Sequence, residues 1–358
     1  VKLSWSPGKY WQPKFMNKYF LFDGGFKLES GEELASPVIS YHTYGTLNKD
    51  ASNVIWVCHA LTANSDAAEW WKGLVGEAFL FDPARDFIVC ANVLGSCYGT
   101  TGPLSKNPAG GGPYYHDFPF ISIKDMVKAH IELRKHLGIE KIKLLIGGSL
   151  GGQQALEWAI EEPEQIKRLI LIATNAIHSP WGIAYNEAQR MAIRADKTIS
   201  ERLPNAGKAG LEAARAIAML SYRTYETFQL TQEDRNKPLN ETAAAVSYQQ
   251  YQGQKLSKRF NAFSYITLLN AMDSHDIGRG RKSIEDALSK IQANTLVVSI
   301  SSDNLFPVDE QRRLALFIPD SSHTIIHSIY GHDGFLIETG ALRNEIIKFL
   351  LETTNVSI

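Results

Sequence analysis

The stretch that most constrains this chain is Leu144-Leu145-Ile146-Gly147-Gly148-Ser149-Leu150-Gly151-Gly152-Gln153-Gln154-Ala155-Leu156. It reads as an apolar strand, a tight glycine turn with one serine at its tip, then a helix. Gly147, Ser149 and Gly151 satisfy G-x-S-x-G, the spacing of an elbow that lifts a nucleophile out of a sheet. The reason is steric. A serine on so sharp a turn is held in a strained conformation, and glycines on either side let neighbouring backbones approach. The turn also sets Ser149 at a helix N-terminus, where free N–H groups can stabilise an oxyanion.

The surroundings of the elbow predict an α/β chain with a mostly parallel sheet flanked by helices. Strands are expected over Tyr19–Leu28 and Val38–Tyr44, with turn signals at Gly24-Gly25 and Ser30-Gly31. The almost wholly apolar runs Asn53–His59, Asp86–Val93, Ile142–Ile146 and Ile166–Ala173 predict strands covered on both faces. Helices are expected around Trp70–Phe79 and after Ser122, where Ser122-x-x-Asp125 reads as a capping box and Gly138 as the stop. His130, on the apolar face of that helix, reads as packed. The glycine- and proline-dense stretch Leu94–Tyr115 is long enough to line a site. No Gly-Lys-Ser/Thr follows its glycines, which argues against a phosphate-binding P-loop.

The rhythm breaks at about Asn175. Helical patterns dominate to about Ile291, among them Glu187–Ala195, Leu211–Gln229 and Tyr265–Met272. Buried-strand character returns at Thr295–Ile300, followed by a helix at Asp309–Phe317, a strand-like His323–Ile329 and an amphipathic helix at Leu342–Leu351. The economical division is one core of residues 1–175 and 293–358, interrupted by a helical lid insertion at 176–292. Such an insertion sits over the strand ends, where α/β folds bind ligands. With 358 residues, 44% of them hydrophobic, the chain can bury a core of this size.

A serine hydroxyl needs a base, and the base an orienting acid. In a fold of this kind they follow in the order serine, acid, histidine. Asp303 stands just after a late strand; Asp309 is a rival, but reads as a helix-terminal cap. Of the ten histidines, only His323, His327 and His332 follow Asp303. His332 lies between glycines in a loop that can aim its ring, whereas the other two lie in or beside a strand. The oxyanion hole needs a second amide from the loop after an early strand. The candidate donors are the N–H groups of Leu61 and Leu150, with His59 shaping the loop.

These segments resemble the homoserine O-acetyltransferases, acyltransferases of the α/β-hydrolase fold that serve methionine biosynthesis. The resemblance rests on YHTYGTLN (Tyr41–Asn48), CHALT (Cys58–Thr62), NVLGSCYGTTGP (Asn92–Pro103), GGSLGGQQALEWA (Gly147–Ala159), SYRT (Ser221–Thr224), SDNLFP (Ser302–Pro307) and GHDGF (Gly331–Phe335). It implies the same triad, Ser149, Asp303 and His332. It also implies that Arg223 and Asp333 hold homoserine, a zwitterion whose carboxylate suits a guanidinium and whose ammonium suits a carboxylate. The partners it implies are homoserine and acetyl-CoA, the latter as acyl-donor substrate, with no permanently bound cofactor and no metal. It further implies a homodimer joined through the helical insertion. The one departure is Ala63, where the family commonly has glycine, and it bears on the local loop shape alone.

Other readings share the triad: a transferase using succinyl-CoA or serine, or an esterase or thioesterase. A non-enzymatic binding protein on this fold would be expected to lack a triad member or an elbow glycine, and all are present. Lys and Arg total 37 against 38 Asp and Glu, so charge gives no reason to expect nucleic acid or an anionic membrane as partner. Cys58, Cys90 and Cys97 read as reduced thiols of a cytoplasmic protein. Val1–Gln12 lacks the apolar run of a signal peptide, and no run reaches the length of a membrane span.

Overall fold

The computed structural model describes residues 17–234 and 237–352; the polar, aromatic stretch Val1–Gln12 lies outside them. Ten strands are described: β1 (Lys18–Leu21), β2 (Gly25–Lys27), β3 (Glu33–Ala35), β4 (Val38–Tyr44), β5 (Val54–Cys58), β6 (Phe87–Ala91), β7 (Leu144–Gly148), β8 (Arg168–Ile172), β9 (Asn294–Ile300) and β10 (Ser321–Ile326). Eight form one sheet in the order β1-β4-β6-β5-β7-β8-β9-β10, and β2 pairs with β3 alone. The pairs β1–β4 and β4–β6 are antiparallel; from β6 to β10 every pair is parallel. The expected strand Tyr19–Leu28 is therefore two, divided at Gly24.

Alternation along the central strands sends side chains to two layers. Ile55, Val57, Ile146, Ile170, Ile172 and Val298 pack with Trp71, Leu342, Ile346 and Phe349. Trp56, Leu145, Leu169, Leu171 and Val297 pack on the other face with Met126, Leu133, Leu156 and Trp158. Both faces are covered, which is why these runs are apolar at every position. The helix Ile123–His136 begins with the expected capping box of Ser122 and Asp125. His130 is fully buried, its ring 6.1 Å from that of Trp56, and has the packing role expected of it.

Two expected helices differ. Only Ala67–Trp70 is helical where a helix around Trp70–Phe79 was expected. Gly73 (φ +94°) and Gly76 (φ +139°) hold backbone conformations that a helix does not contain. The expected helix Leu211–Gln229 is two, Lys208–Tyr222 and Tyr225–Gln232. Arg223 and Thr224 between them are extended, and the Thr224 side chain caps the second helix by accepting from the Thr227 amide (3.1 Å).

Between β8 and β9 the described residues contain helices and no strand. Pro180–Ala195 packs on Lys208–Tyr222, which packs on Ala244–Ser257; Ala262–Asp273 closes against the first two. Because β5, β7, β8, β9 and β10 run parallel, the segments after β5, β7, β8, β9 and β10 leave the sheet along one edge. The residues singled out for chemistry all lie there. Among the described residues no helix is long and apolar enough to cross a membrane.

Candidate active site

The elbow takes its shape from backbone contacts. A Cβ on Gly147 would lie 2.1 Å from Gly151 O, and one on Gly151 would lie 2.1 Å from Cys58 O. Both glycines are thus required by close approach: the helix Leu150–Glu161 starts directly against β7 and the end of β5. Ser149 is left at φ 57°, ψ −126° as the N-cap of that helix. Such strain costs about 1–3 kcal/mol and persists only when the surroundings fix it. Here the Ser149 amide donates to Ile172 O (3.0 Å), and Ser149 O accepts from Thr174 Oγ1 (3.0 Å) and the Gln153 amide (3.1 Å).

The structure brings Asp303 and His332 together. His332 Nδ1 lies 2.7 Å from Asp303 Oδ2, and both residues are only 4% exposed. The other carboxylate oxygen, Oδ1, accepts from the amides of Leu305 (2.8 Å) and Phe306 (2.9 Å). That leaves the carboxylate no freedom to turn. With Nδ1–H directed at Asp303, the imidazole tautomer has Nε2 free to accept a proton. The ring is clamped by Phe306, stacked at 5.1 Å, and by Phe335, edge-on at 5.3 Å. Phe335 also lies over Gly148, where an added Cβ would be 2.8 Å from its ring. One phenyl ring therefore touches both the elbow and the histidine turn. The rivals fall elsewhere. Asp309 is exposed and pairs with Arg312 (2.8 Å), and His323 bonds Ser299 Oγ (2.7 Å) on the edge strand.

Leu61 and Leu150 are buried, and neither amide has a hydrogen-bond acceptor among the described residues. Their loops are tied together, since Gln154 Nε2 donates to His59 O (3.1 Å). His59 Nδ1 donates to Ala60 O (2.9 Å) while its Nε2 accepts from the Val93 amide (3.2 Å). Burial pushes its pKa down to about 4. It is a neutral ring that shapes the loop, as expected.

Arg223 and Asp333 also meet: Arg223 Nε lies 2.8 Å from Asp333 Oδ2, though its N–H is directed off the hydrogen-bond axis. Thr224 Oγ1 and Thr227 Oγ1 both donate to Ile329 O, which pins the break in the insertion helices to the segment leading to His332. Two further features were missed in the sequence. The Arg215 guanidinium sits 5.2 Å over the ring of Tyr222, which in turn lies 5.7 Å from the His332 ring. Arg215 has no carboxylate partner among the described residues. Its signal was available, because Arg215 and Tyr222 are seven residues apart and share a helix face. The second is a buried chain in which Gln153 Nε2 donates to Asn175 Oδ1 (3.0 Å) and Asn175 Nδ2 donates to Glu310 Oε2 (2.9 Å). Burial, assisted by the charge of Asp303, pushes Glu310 up to about 7. Its members come from three distant segments, so no local pattern announces it.

Comparison with known proteins agrees with this fold. The family model described as the alpha/beta hydrolase fold matches residues 53–339. A homoserine O-acetyltransferase from Cyclobacterium marinum is 50% identical over 333 residues, 93% of this chain and 95% of the relative. Among solved structures, homoserine O-acetyltransferase from Bacillus anthracis superposes with a TM-score of 0.87 at 25% identity, over 94% of this chain and 97% of the other. An acetylester hydrolase from Corynebacterium glutamicum gives 0.81 at 25% identity, over 94% and 95%. A buried Asp–His pair and a strained serine elbow, on a chain half identical to a curated relative over nearly its whole length, lead to one assignment: this chain is a member of the homoserine O-acetyltransferase family, on the α/β-hydrolase fold.

Proposed function

We propose that this chain transfers an acetyl group from acetyl-CoA to the hydroxyl of homoserine through an acetyl-Ser149 intermediate. The observation that carries the reading is the buried 2.7 Å contact between His332 Nδ1 and Asp303 Oδ2. It fixes the tautomer needed by a base that must take a proton and return it. In the first half-reaction Ser149 Oγ attacks the thioester carbonyl and its proton passes to His332 Nε2. The amides of Leu61 and Leu150 hold the oxyanion. The C–S bond breaks and the thiol leaves with that proton. In the second half the homoserine hydroxyl gives its proton to His332 and attacks the acyl carbon. The ester product departs, and Ser149 recovers its proton.

The acceptor is held by charge. Asp333 takes its ammonium, and Arg223, with Arg215, takes its carboxylate. Arg223 is already neutralised by Asp333, so the unpaired Arg215 supplies the cation left over for the substrate. Residues 176–292 act as a lid that positions the acceptor and keeps water out. The same reading makes the protein a cytoplasmic homodimer joined through that insertion. The experiment is thiol release from acetyl-CoA or succinyl-CoA with homoserine or serine as acceptor. The expected result is fast release only with acetyl-CoA and homoserine. A second reading, hydrolysis, draws on the likeness to the acetylester hydrolase; thiol release as fast without acceptor as with it would select it.

A further inference from the structure

The Asn92–Pro103 motif takes no part in the chemistry described so far, yet it walls a cavity of about 450 Å³. The opposite wall is formed by the starts of the helices Lys208–Tyr222 and Ala262–Asp273. Lys208, Lys258 and Arg259 line the cavity and no Asp or Glu does. None of the three cations has an acidic partner among the described residues. Two nearby carboxylates are committed: Asp196 accepts from the Gly210 amide (3.1 Å) and Glu212 from the Ser257 hydroxyl (2.6 Å). A cluster of like charges around a concave space raises the local concentration of anions.

The hydroxyls on this wall are engaged: Thr100 Oγ1 donates to Asn92 O (2.9 Å), and Ser105 Oγ accepts from the Gly102 amide (3.0 Å). Position adds an independent observation. The Arg259 guanidinium bonds Thr62 O and the Tyr98 hydroxyl, so the cavity abuts the loop that presents the Leu61 amide.

We propose that this cavity binds the phosphate-bearing nucleotide end of the acyl donor. Lys208, Lys258 and Arg259 meet phosphate oxygens. This rests on an acyl-CoA as donor. Binding energy collected at this remote end holds the thioester carbonyl against the oxyanion amides.

The test compares wild type with the double variant Lys208→Ala/Lys258→Ala. Two donors are used, acetyl-CoA and the S-acetyl thioester of N-acetylcysteamine, which carries no phosphate. The ratio of the two kcat/KM values, acetyl-CoA over the truncated donor, falls about tenfold or more in the double variant. A ratio that stays at the wild-type value overturns the proposal, whether both activities fall together or neither falls. Calorimetric titration with adenosine 3′,5′-bisphosphate, which needs no turnover, gives binding to wild type and at least about tenfold weaker binding to the double variant. Equal binding by both proteins, or none by wild type, overturns the assignment. Pyrophosphate binding as tightly as the nucleotide overturns it in favour of a free-anion site. If wild type uses neither thioester, the transferase reading fails, and the titration still decides the cavity.

Discussion

The elbow and the helical insertion place their functional groups by different means. At Ser149 position is enforced by backbone against backbone: Gly147 on Gly151, Gly151 on Cys58, and the serine amide on Ile172 O. In the insertion, Arg215 and Arg223 are held by a ring contact and an ion pair on packed helices, with Thr224 and Thr227 tying them to Ile329. Close-packed backbone tolerates almost no change, whereas charged side chains on helices can be exchanged at modest cost. On the proposed reading the chemistry is built into the core, and the choice of acceptor into the part that can vary.

The contrast can be broken at either end. Ser149→Ala removes the nucleophile without touching the backbone contacts, and kcat for transfer should fall by roughly four to six orders of magnitude with melting temperature little changed. Steady-state assay and calorimetry on one preparation check both halves. Gly151→Ala attacks the other property. Its Cβ would meet Cys58 O at 2.1 Å, so the strand or the helix must shift. A loss of about 1–3 kcal/mol or more is expected in denaturant unfolding, together with loss of transfer. Unchanged stability in Gly151→Ala would mean that the elbow is not sterically fixed.

Changes in the insertion should read out differently. Arg215→Ala removes a cation with no acidic partner of its own, so folding should barely notice. KM for homoserine should rise by about ten- to a hundredfold, the worth of one charge-assisted hydrogen bond, while thiol release without acceptor moves far less. A fall in acceptor-free thiol release as large as the rise in KM would place Arg215 in the first half-reaction instead.

The same contrast explains what could be read in advance. The elbow, the strands and the order Ser149, Asp303, His332 were legible because each leaves a local mark: glycines where backbones touch, unbroken apolar runs where both faces are covered, a loop histidine between glycines. The acceptor region left weaker marks. The helix break at Arg223 contains neither glycine nor proline, and depends on Thr224 and Thr227 finding Ile329 O some hundred residues away. Arg215 stands among alanines, and its value comes from what is missing around it. The run Trp70–Phe79 misled because its apolar residues fit a helix while Gly73 and Gly76 do not. Glu310 acquires its environment only once Asn175 and Asp303 close on it.

A separate effect is expected in pH dependence. Burial depresses His59 and His178 to about 4, and His130 and His275 to about 3. The stability these neutral rings contribute is full above the unfolded value near 6.5 and is lost as pH falls toward 4 and then 3. Glu310 has the opposite sign. Its pKa is raised to about 7, so its contribution is full below the unfolded value near 4.5 and is lost as pH rises through about 7. Melting temperature should therefore fall as pH drops from 6.5 to 4. Glu310→Gln, which cannot ionise, should gain on wild type steadily between pH 4.5 and 7. A constant offset over that range would show that Glu310 does not titrate there.

The central claim is that Ser149 carries the acyl group between donor and acceptor. Rapid-quench peptide mass spectrometry of the enzyme mixed with acetyl-CoA alone tests it most directly. One acetyl group is expected on the peptide containing Ser149, formed before steady state and passed to homoserine when that is added. Acetylated homoserine formed at full rate with no acetyl group ever found on Ser149 would contradict it.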